Sequence, residues 1–477
     1  MALVLWSPHL RAVLENTAYI GTSDSVAGGG GGGLFEFDEP AEFEERPISK
    51  PTIRLNGVRA RVDRVHVDGL NRTKDDVIKH TIDDLFHATD FEDVILRAHK
   101  VRHALDSMGC FRDIGVHIDV SSGPGSTPEG LEVTFQVQEL SRIVGGVNTT
   151  VSENEGNLVV GVKLPNVAGR GERVHAEYSM GYRSSSNFSL AATKPFPHKP
   201  LVPVLTATLY QQNHEFPWSG YRLLDRGLLL DLTFRTSPAT EHSVQWEGVV
   251  RDTSVLSKTT SFKVRESSGP AMKSVLRHTV TVDQRDEPIF PTRGGLVQWC
   301  SEVCGLGGGV AHLRNEVRVQ HNVSAGGGLV LQAGAAAGLL HEGFGTELPD
   351  LLYLGGPTSL RGFRVRGVGP HSERLATGGR AYWAAALHLY APLPFRPARH
   401  SLGALFRSHA FVSAGALHEE ARALLDAGQA RVAAGAGVAL RLGRAARLEL
   451  NYCVPLRALA GDVRAPGLQF GVGAHFL

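Results

Sequence analysis

The sequence predicts a transmembrane β-barrel of about 16 antiparallel strands, preceded by one small α/β module of order β-α-α-β-β. Three observations support this prediction. From about residue 141 to the end, segments of about ten residues with alternating polar and apolar character recur between turns rich in Gly, Pro, Asn and Ser. Helical periodicity is confined almost entirely to residues 59–140. No apolar run approaches the roughly 18 residues of a membrane helix. This excludes membrane helices but not the strands of a membrane β-barrel, whose alternating residues average to neutral hydropathy.

The composition and the short motifs exclude several functional classes. Lys and Arg total 49 against 48 Asp and Glu, so the net charge of +1 gives no electrostatic basis for binding nucleic acid. The sequence lacks G-x-S-x-G, H-E-x-x-H and Walker motifs, so we predict that the protein is not an enzyme and uses no cofactor. The start, MALVLWSPHL, lacks a basic segment before its short apolar stretch, so we predict no secretory signal.

The cysteines predict neither a disulfide framework nor a metal site. In CSEVC, Cys300 and Cys304 are four residues apart, which is about 13 Å along a strand. A disulfide cannot span that distance. We therefore expect free or structural thiols.

Residues 1–58 are predicted to be unstructured. Six consecutive glycines, Gly28–Gly33, precede the acidic run FEFDEPAEFEERP, and such a composition cannot bury a core. The segment is either a solvated linker or an acidic docking tail.

Residues 59–140 are predicted to form the α/β module. RVDRVHV alternates as a strand, and Thr73 with Asp76 three residues later predicts a helix N-cap. A second helix is expected over about 91–108, with Gly109 at its C-terminal cap. Two strands, IGVHIDV and LEVTFQV, complete the order β-α-α-β-β.

Residues 141–477 are predicted to form the barrel. About seventeen segments qualify as strands, but a barrel with both ends on one side needs an even number. The weakest, SKTTSFKVRES at 257–267, has only Phe262 and Val264 as apolar residues, so we expect a loop or short helix there. A soluble sandwich would show similar runs. The absence of an interleaved helical layer favours lipid, as does the separation of apolar and polar residues onto opposite faces.

The stretch ARLELNY illustrates this separation. Alternate residues form an apolar face that we assign to the exterior: Leu448, Leu450 and Tyr452. The intervening residues form a polar face that we assign to the lumen: Arg447, Glu449 and Asn451.

Four further stretches occur in a fixed order: LPNVAGRGE (164–172), VDQRDEPIFPTRGG (282–295), GGPTSLRGF (355–363) and GGRAYWAAALHLYAPLPF (378–395). Together with the module, this set resembles the BamA-like superfamily of outer-membrane insertases and transporters, whose module is the POTRA domain. Within it, the chain is most similar to the mitochondrial branch, the barrel subunit of the sorting and assembly machinery (SAM complex). The reasons are the one module, the missing signal and RLELNYCVPL near the end.

The resemblance implies a location and partners. The barrel would lie in the mitochondrial outer membrane with its POTRA domain in the intermembrane space, and would insert β-barrel precursor proteins. Other subunits of the machinery and membrane lipid are the further partners implied, and an inner-membrane cristae-organising complex is another candidate. Two alternatives stay open: a protein-translocating pore of the same superfamily, and a scaffold for membrane contacts and cristae.

The resemblance also implies that the loop carrying Leu360-Arg361-Gly362-Phe363 folds into the lumen. The turn residues Gly355, Gly356 and Pro357 would reverse the chain. Arg361 would hydrogen-bond several lumenal groups, Gly362 would allow close approach to the wall, and Phe363 would pack on it. The facing positions, often acidic in the family, correspond here to His388 and Ser413, so Arg361 is expected to use carbonyls, Ser413 or another acid.

A lateral gate is the last expectation. The first strand, near 145–151, would pair weakly with the last, near 468–477, because glycines weaken both. The residues assigned to this gate are Gly145, Gly146, Val147, Thr149, Gly471, Gly473 and Phe476. A client strand would pair with the opened first strand by β-augmentation. The stretch QFGVGAHF (469–476) also matches the β-signal of the family's clients, and it is equally consistent with an ordinary last strand.

Overall fold

The computed structural model describes most of the 477-residue chain, namely residues 58–151, 156–181, 185–196, 199, 201–393, 405–443, 446–473 and 476–477. Apart from Val58, the predicted N-terminal segment lies outside the described residues. In the described part, a three-stranded sheet with two longer helices precedes a 16-stranded antiparallel sheet.

The N-terminal module has the predicted order β-α-α-β-β. Its elements are β1 (Arg61–Asp68), α1 (Asp75–Ile82), α2 (Phe91–Ser107), β2 (Phe111–Val120) and β3 (Gly130–Glu139), with a 3₁₀ turn at Asp83–His87. β3 lies in the centre, parallel to β1 and antiparallel to β2. The helices cover one face of this sheet because α2 buries one side chain per turn: Val94, Ala98, Val101 and Leu105. None of the helices among the described residues is long and apolar enough to cross a membrane.

The 16 strands of the large sheet, counted over the described residues, follow one another in chain order. They are β4 (Val144–Val151), β5 (Gly156–Pro165), β6 (Arg173–Gly181), β7 (Ser186–Pro195), β8 (Val204–Phe216), β9 (Tyr221–Ser237), β10 (Thr240–Val255), β11 (Gly269–Asp283), β12 (Gly294–Gly308), β13 (His312–Gly326), β14 (Leu329–Glu342), β17 (Ala381–Pro392), β18 (Phe406–His418), β19 (Arg431–Leu442), β20 (Ala446–Arg457) and β21 (Gly467–Gly473). The loop between β14 and β17 contains a minor hairpin of β15 (His371–Ser372) and β16 (Leu375–Ala376). The predicted strand number is confirmed. The segment excluded from the strand count contains the short helix α3 (Phe262–Glu266).

The alternation along the strands separates a polar interior from an apolar exterior, as predicted. On β20, Glu449 and Asn451 are 0% and 1% exposed, whereas Leu450 and Tyr452 are 47% and 59% exposed. An exterior of this kind suits a lipid environment, and the buried polar side chains face a lumen in which they find partners.

A buried carboxylate at the end of β3 organises the segment that leads into α1. Glu139 accepts hydrogen bonds from the Thr73 hydroxyl at 2.7 Å and from the Thr73 N–H at 2.9 Å, as well as from the N–H groups of Asn71 and Arg72. Burial alone would raise the pKa of Glu139, but these hydrogen bonds outweigh it and lower the pKa from 4.5 to about 2. Thr73 is therefore not the predicted N-cap. Its hydroxyl donates to Glu139, and α1 begins after Lys74.

The hydrogen-bonded segment around Thr73 also attaches the module to the turn between β5 and β6. Asn166 donates from Nδ2 to the Thr73 hydroxyl oxygen at 2.8 Å and accepts the Gly171 N–H at 2.8 Å. Gly169 has φ +85°, and an added Cβ would lie 2.5 Å from the Arg72 carbonyl oxygen. Its own carbonyl accepts the Lys74 N–H at 2.8 Å. The glycine-rich stretch at 164–172 is thus a docking turn for the module.

We expect Glu139→Gln to loosen this junction. A carboxylate whose folded-state pKa lies below its unfolded value stabilises the fold above about pH 4.5, and that contribution is lost as the pH falls towards about 2. At pH 7 the loss should be on the order of 2 kcal/mol. Hydrogen exchange should accelerate in peptides covering residues 71–74.

Glu129→Gln is the matched control for that experiment, because Glu129 is an exposed acid on the same module. It should leave exchange at 71–74 unchanged. Equal exchange in both variants would show that Glu139 does not hold the junction. The difference in stability between Glu139→Gln and the natural protein should shrink as the pH is lowered below about 4.5.

Candidate functional site

The loop between β14 and β17, residues 343–380, turns sharply at Gly355 and Gly356. Their φ angles are +112° and +121°, and a Cβ on Gly355 would lie 2.6 Å from the Arg364 carbonyl oxygen. Only glycine meets both constraints comfortably. The turn brings Arg361 and Phe363 into the interior, where both are fully buried.

Arg361 pairs with a carboxylate on β20. Its Nη2 donates to Glu449 Oε2 at 2.8 Å and its Nε at 3.3 Å, and both side chains are fully buried. Its Nη1 donates to the Leu477 carbonyl oxygen at 2.6 Å. The Phe411 and Phe476 rings lie 4.9 and 5.5 Å from the guanidinium carbon. A buried guanidinium is tolerated here because an anion, a carbonyl and aromatic faces replace its water.

Of the two residues that the sequence suggests as partners of Arg361, His388 lies beside it, whereas Ser413 makes its hydrogen bond elsewhere. His388 Nε2 is 3.5 Å from Arg361 Nη1 and 3.0 Å from the Leu477 carbonyl oxygen, so His388 belongs to the cluster. The Ser413 hydroxyl instead donates to the Ala433 carbonyl at 3.5 Å.

The sequence does not single out Glu449 as the partner of Arg361. The alternation in ARLELNY predicts only that Glu449 faces the lumen. Which lumenal acid meets the loop depends on strand positions around the barrel, and a local sequence pattern does not contain that information.

The loop between β14 and β17 also contacts the barrel wall and the last strand through Gly362 and Phe363. A Cβ on Gly362 would lie 3.0 Å from the Ala433 Cβ on β19. The Gly362 N–H donates to Gln469 Oε1 at 2.9 Å, and Gln469 Nε2 donates to the Phe363 carbonyl at 3.1 Å. One side chain of β21 therefore binds the loop backbone twice.

Residues 476–477, beyond β21, lie in the same cluster. β21 ends at Gly473, short of the predicted end of the last strand, and residues 474–475 lie outside the described residues. The Leu477 N–H donates to the Thr358 carbonyl at 3.0 Å. Phe476, which the sequence analysis assigned to the gate, is buried with its ring 4.5 Å from the Arg447 guanidinium carbon. Attraction between cations and its aromatic face explains this position.

Two further anchors hold the loop on the opposite wall. Asp350 accepts from Lys273 Nζ on β11 at 2.5 Å and from Arg251 Nη1 on β10 at 2.8 Å. Arg366 donates to the hydroxyls of Ser219 and Tyr221 at 2.9 Å each. Because Glu449 lies on β20 and these partners lie on or beside β9–β11, the loop crosses the barrel interior.

The first and last strands are the two ends of the sheet order. In the described part of the chain, β4 forms a ladder with β5 and β21 with β20, and no ladder joins β4 to β21. Val147 is 65% exposed, and a Cβ on Gly145 or Gly146 would meet no atom within 4 Å. Thr149 is also exposed.

The glycines assigned to the last strand lie differently. A Cβ on Gly471 would lie 2.9 Å from the Pro357 Cβ, so this strand packs against the turn that begins at Gly355. Gly473 is paired in register with Arg447 of β20.

The described residues contain no group of three or more His, Cys, Asp or Glu side chains arranged to hold a metal ion. Cys110, Cys300, Cys304 and Cys453 are free thiols. Burial raises the pKa of Cys110, in the N-terminal module, to about 12, so this thiol is inert at neutral pH.

Comparisons with known proteins agree with this architecture. Residues 166–476 match the model of the Omp85 superfamily domain. The sorting and assembly machinery component 50 homologs of Bos taurus and Homo sapiens are each 42% identical over 453 residues, covering 92% of this chain and 95% of theirs. The SAM50-like protein CG7639 of Drosophila melanogaster is 38% identical over 431 residues, covering 89% and 96%.

A solved structure supports the fold. BamA from Haemophilus ducreyi lacking POTRA domains 1–3 superposes with a TM-score of 0.71 at 16% identity, covering 87% of this chain and 85% of that one. The chain therefore belongs to the Omp85 superfamily and, within it, to the family of sorting and assembly machinery component 50 homologs.

Proposed function

We propose that the protein inserts and assembles β-barrel precursor proteins in the mitochondrial outer membrane. The observation that carries the proposal is that β4 and β21 are the two ends of one sheet and that no ladder joins them in the described residues; we call this pair of ends the seam. Its relatives are named for a component of a sorting and assembly machinery, which supports the same assignment and suggests further subunits as partners.

The seam would act by β-augmentation. An unpaired strand edge presents a row of backbone N–H and C=O groups that are costly to leave unsatisfied in lipid. A client's terminal strand would satisfy those of β4, and successive client hairpins would then add to the growing sheet. The driving force is backbone pairing together with transfer of apolar side chains into lipid, so no bond is cleaved.

The two sides of the seam would have different roles. β21 is held from inside by Gln469, which binds Gly362 and Phe363, and the Leu477 carbonyl is bound by Arg361. β4 has exposed glycines without such contacts at their Cβ positions. The last strand is therefore the fixed side, and the first strand is the side that moves and accepts the client.

The N-terminal module, residues 59–140, would serve as a POTRA domain in the intermembrane space, and residues 141–477 as the barrel. The docking turn at 164–172 holds the module against one end of the barrel. A client arriving from the module's side would meet the seam at that end. A role in organising membrane contacts or cristae through the module is compatible with this arrangement.

A protein-translocating pore of the same superfamily is the second candidate. It needs an open lumen, whereas here a loop anchored at Asp350, Arg361 and Arg366 crosses the interior. The buried ion pairs at Asp350 and Arg361 disfavour easy displacement of the loop. The occupied interior therefore favours the insertase.

The seam is tested by disulfide cross-linking in isolated mitochondria. In a background with the four native cysteines replaced by alanine, Thr149→Cys should form a register-specific adduct with a cysteine in the last strand of a radiolabelled porin-like precursor. The adduct should disappear when the precursor's terminal signal is mutated.

Leu158→Cys is the matched control. Leu158 is paired with Thr149 in register, but it lies on β5, which has neighbours on both sides. Because only an unpaired edge accepts a client strand, its adduct should be about tenfold weaker. Equal adducts at both positions would exclude strand addition at β4.

We expect Glu449→Gln to impair client assembly. Removing one partner of a buried ion pair costs about 3 kcal/mol or more, and here it would free the loop from β20. Assembly of the radiolabelled precursor into a protease-protected form should slow by about tenfold or more. Ser413→Ala should have little effect, because the Ser413 hydroxyl contacts Ala433. The reverse ranking would make Ser413 the functional partner of Arg361.

We expect Asp350→Asn to open the lumen. The change leaves Lys273 and Arg251 without their shared carboxylate, so the loop should detach from β10 and β11. Planar-bilayer recordings should show larger and more frequent conductance steps than the natural protein. Asp252→Asn, at an exposed position next to Arg251 on β10, is the control and should behave like the natural protein. A large constant conductance in all three proteins would favour the translocating pore.

A further inference from the structure

An apolar furrow lies on the outer face of the sheet between β9 and β12. Its volume is about 400 Å³, and the side chains that form it include Leu228, Trp246, Val250, Met272 and Leu306. Val250 and Met272 are 52% and 58% exposed. The furrow faces the surroundings of the barrel rather than its lumen.

The alternation on β9 shows that an arginine shares this outer face. Leu223 and Leu229 are buried at 3% and 8% exposure and face inward, whereas Leu230 and Leu232 are 38% exposed. Arg226 lies an even number of residues from Leu230 and Leu232, so its side chain is on the same outer face, and it is exposed. A charge at this position is costly if it lies deep in lipid and is tolerated where the apolar belt ends.

Register places Arg226 at the edge of that belt. Arg226 is paired with the polar Gln211 of β8. The next outward-facing row, which is nearer the module, pairs Leu228 with Leu209, and Leu209 is 54% exposed. The hairpin that joins β8 to β9 lies at the opposite end of the barrel from the docking turn at 164–172, because successive strands are antiparallel. The furrow therefore begins at the membrane interface away from the module.

Arg226 carries an uncompensated charge. Its Nε donates to Gln211 Oε1 at 2.9 Å, and among the described residues no carboxylate lies within ion-pair distance of its guanidinium. Two other arginines of the same strand differ, since Arg222 pairs with Glu215 and Arg235 with Glu241. The remaining donors of a guanidinium match the oxygens of a phosphate.

The shape of the furrow suits a hydrocarbon chain. The middle row of the register is Leu228, Gly248 and Ser274. The missing side chain at Gly248 lets the Trp246 indole lie flat on the sheet, since a Cβ there would be 3.2 Å from the indole ring. The Trp246 Nε1–H donates to the Ser274 hydroxyl at 3.1 Å. The indole thus has its polar atom satisfied and presents an apolar surface to an occupant.

We propose that this furrow binds one anionic glycerophospholipid, with its phosphate at Arg226 and an acyl chain along Trp246 and Gly248. The unpaired cation at one end selects the headgroup, and the apolar furrow holds the chain. This site would place a specific lipid in the leaflet away from the module, on a part of the wall distant in sequence from both β4 and β21. The inference does not depend on the proposed insertase activity.

Fluorescence quenching in liposomes tests the proposal. The full chain is reconstituted with phosphatidic acid or phosphatidylcholine carrying brominated acyl chains, and the signal of Trp246, one of five tryptophans, is isolated by subtracting Trp246→Phe. Phosphatidic acid should quench Trp246 at about tenfold lower mole fraction than phosphatidylcholine. Glycerol phosphate should not compete, which distinguishes a lipid site from a phosphate site.

Variants at two arginines decide the outcome. Arg226→Gln should move the phosphatidic acid curve onto the phosphatidylcholine curve, and Arg226→Lys should retain part of the preference because the charge remains. Arg222→Gln removes an equal charge from the same strand and should retain the full preference. Quenching that is equal for both lipids in the natural protein, or a preference that survives Arg226→Gln, would overturn the proposal.

Discussion

The buried ion pair between Arg361 and Glu449 is the interaction on which the interior of this barrel depends. It joins the loop between β14 and β17 to β20, the second-last strand of the sheet. The same guanidinium binds the Leu477 carbonyl, so one side chain links the loop, β20 and the end of the chain. Neither charge is accessible to water, and each makes the other tolerable.

The interior is organised by buried charges together with an apolar cluster in which Leu360 and Phe363 of the loop pack against wall residues such as Ala433. Asp350 and Arg366 attach the loop to the wall opposite Glu449, and each contact uses a buried polar group. Such contacts are directional, so they hold the loop in one position while the exterior remains free to match lipid. In the proposed mechanism, the bond from the Gly362 N–H to Gln469 braces β21 from inside and would make it the fixed side of the seam.

The sequence by itself determined the architecture of the protein. Period-two alternation from about residue 141 onward, with polar and apolar faces as in ARLELNY, predicted the barrel and its polar lumen. The weak apolar content of 257–267 removed one candidate strand, and α3 lies there. These features are predictable because side-chain alternation and turn glycines are local consequences of the backbone. The one local error in the module, Thr73 as an N-cap, arose because a distant acid, Glu139, binds its hydroxyl.

Only the tertiary structure decided which groups meet inside the barrel. The partner of Arg361 is Glu449, 88 residues away. The sequence pointed to His388 and Ser413 as facing positions and left carbonyls or another acid open. Likewise, Phe476 lies against Arg361 and Arg447 rather than in the described last strand. The position of each strand around the barrel depends on the register of all its neighbours, and this sum of pairings determines which lumenal side chains face one another.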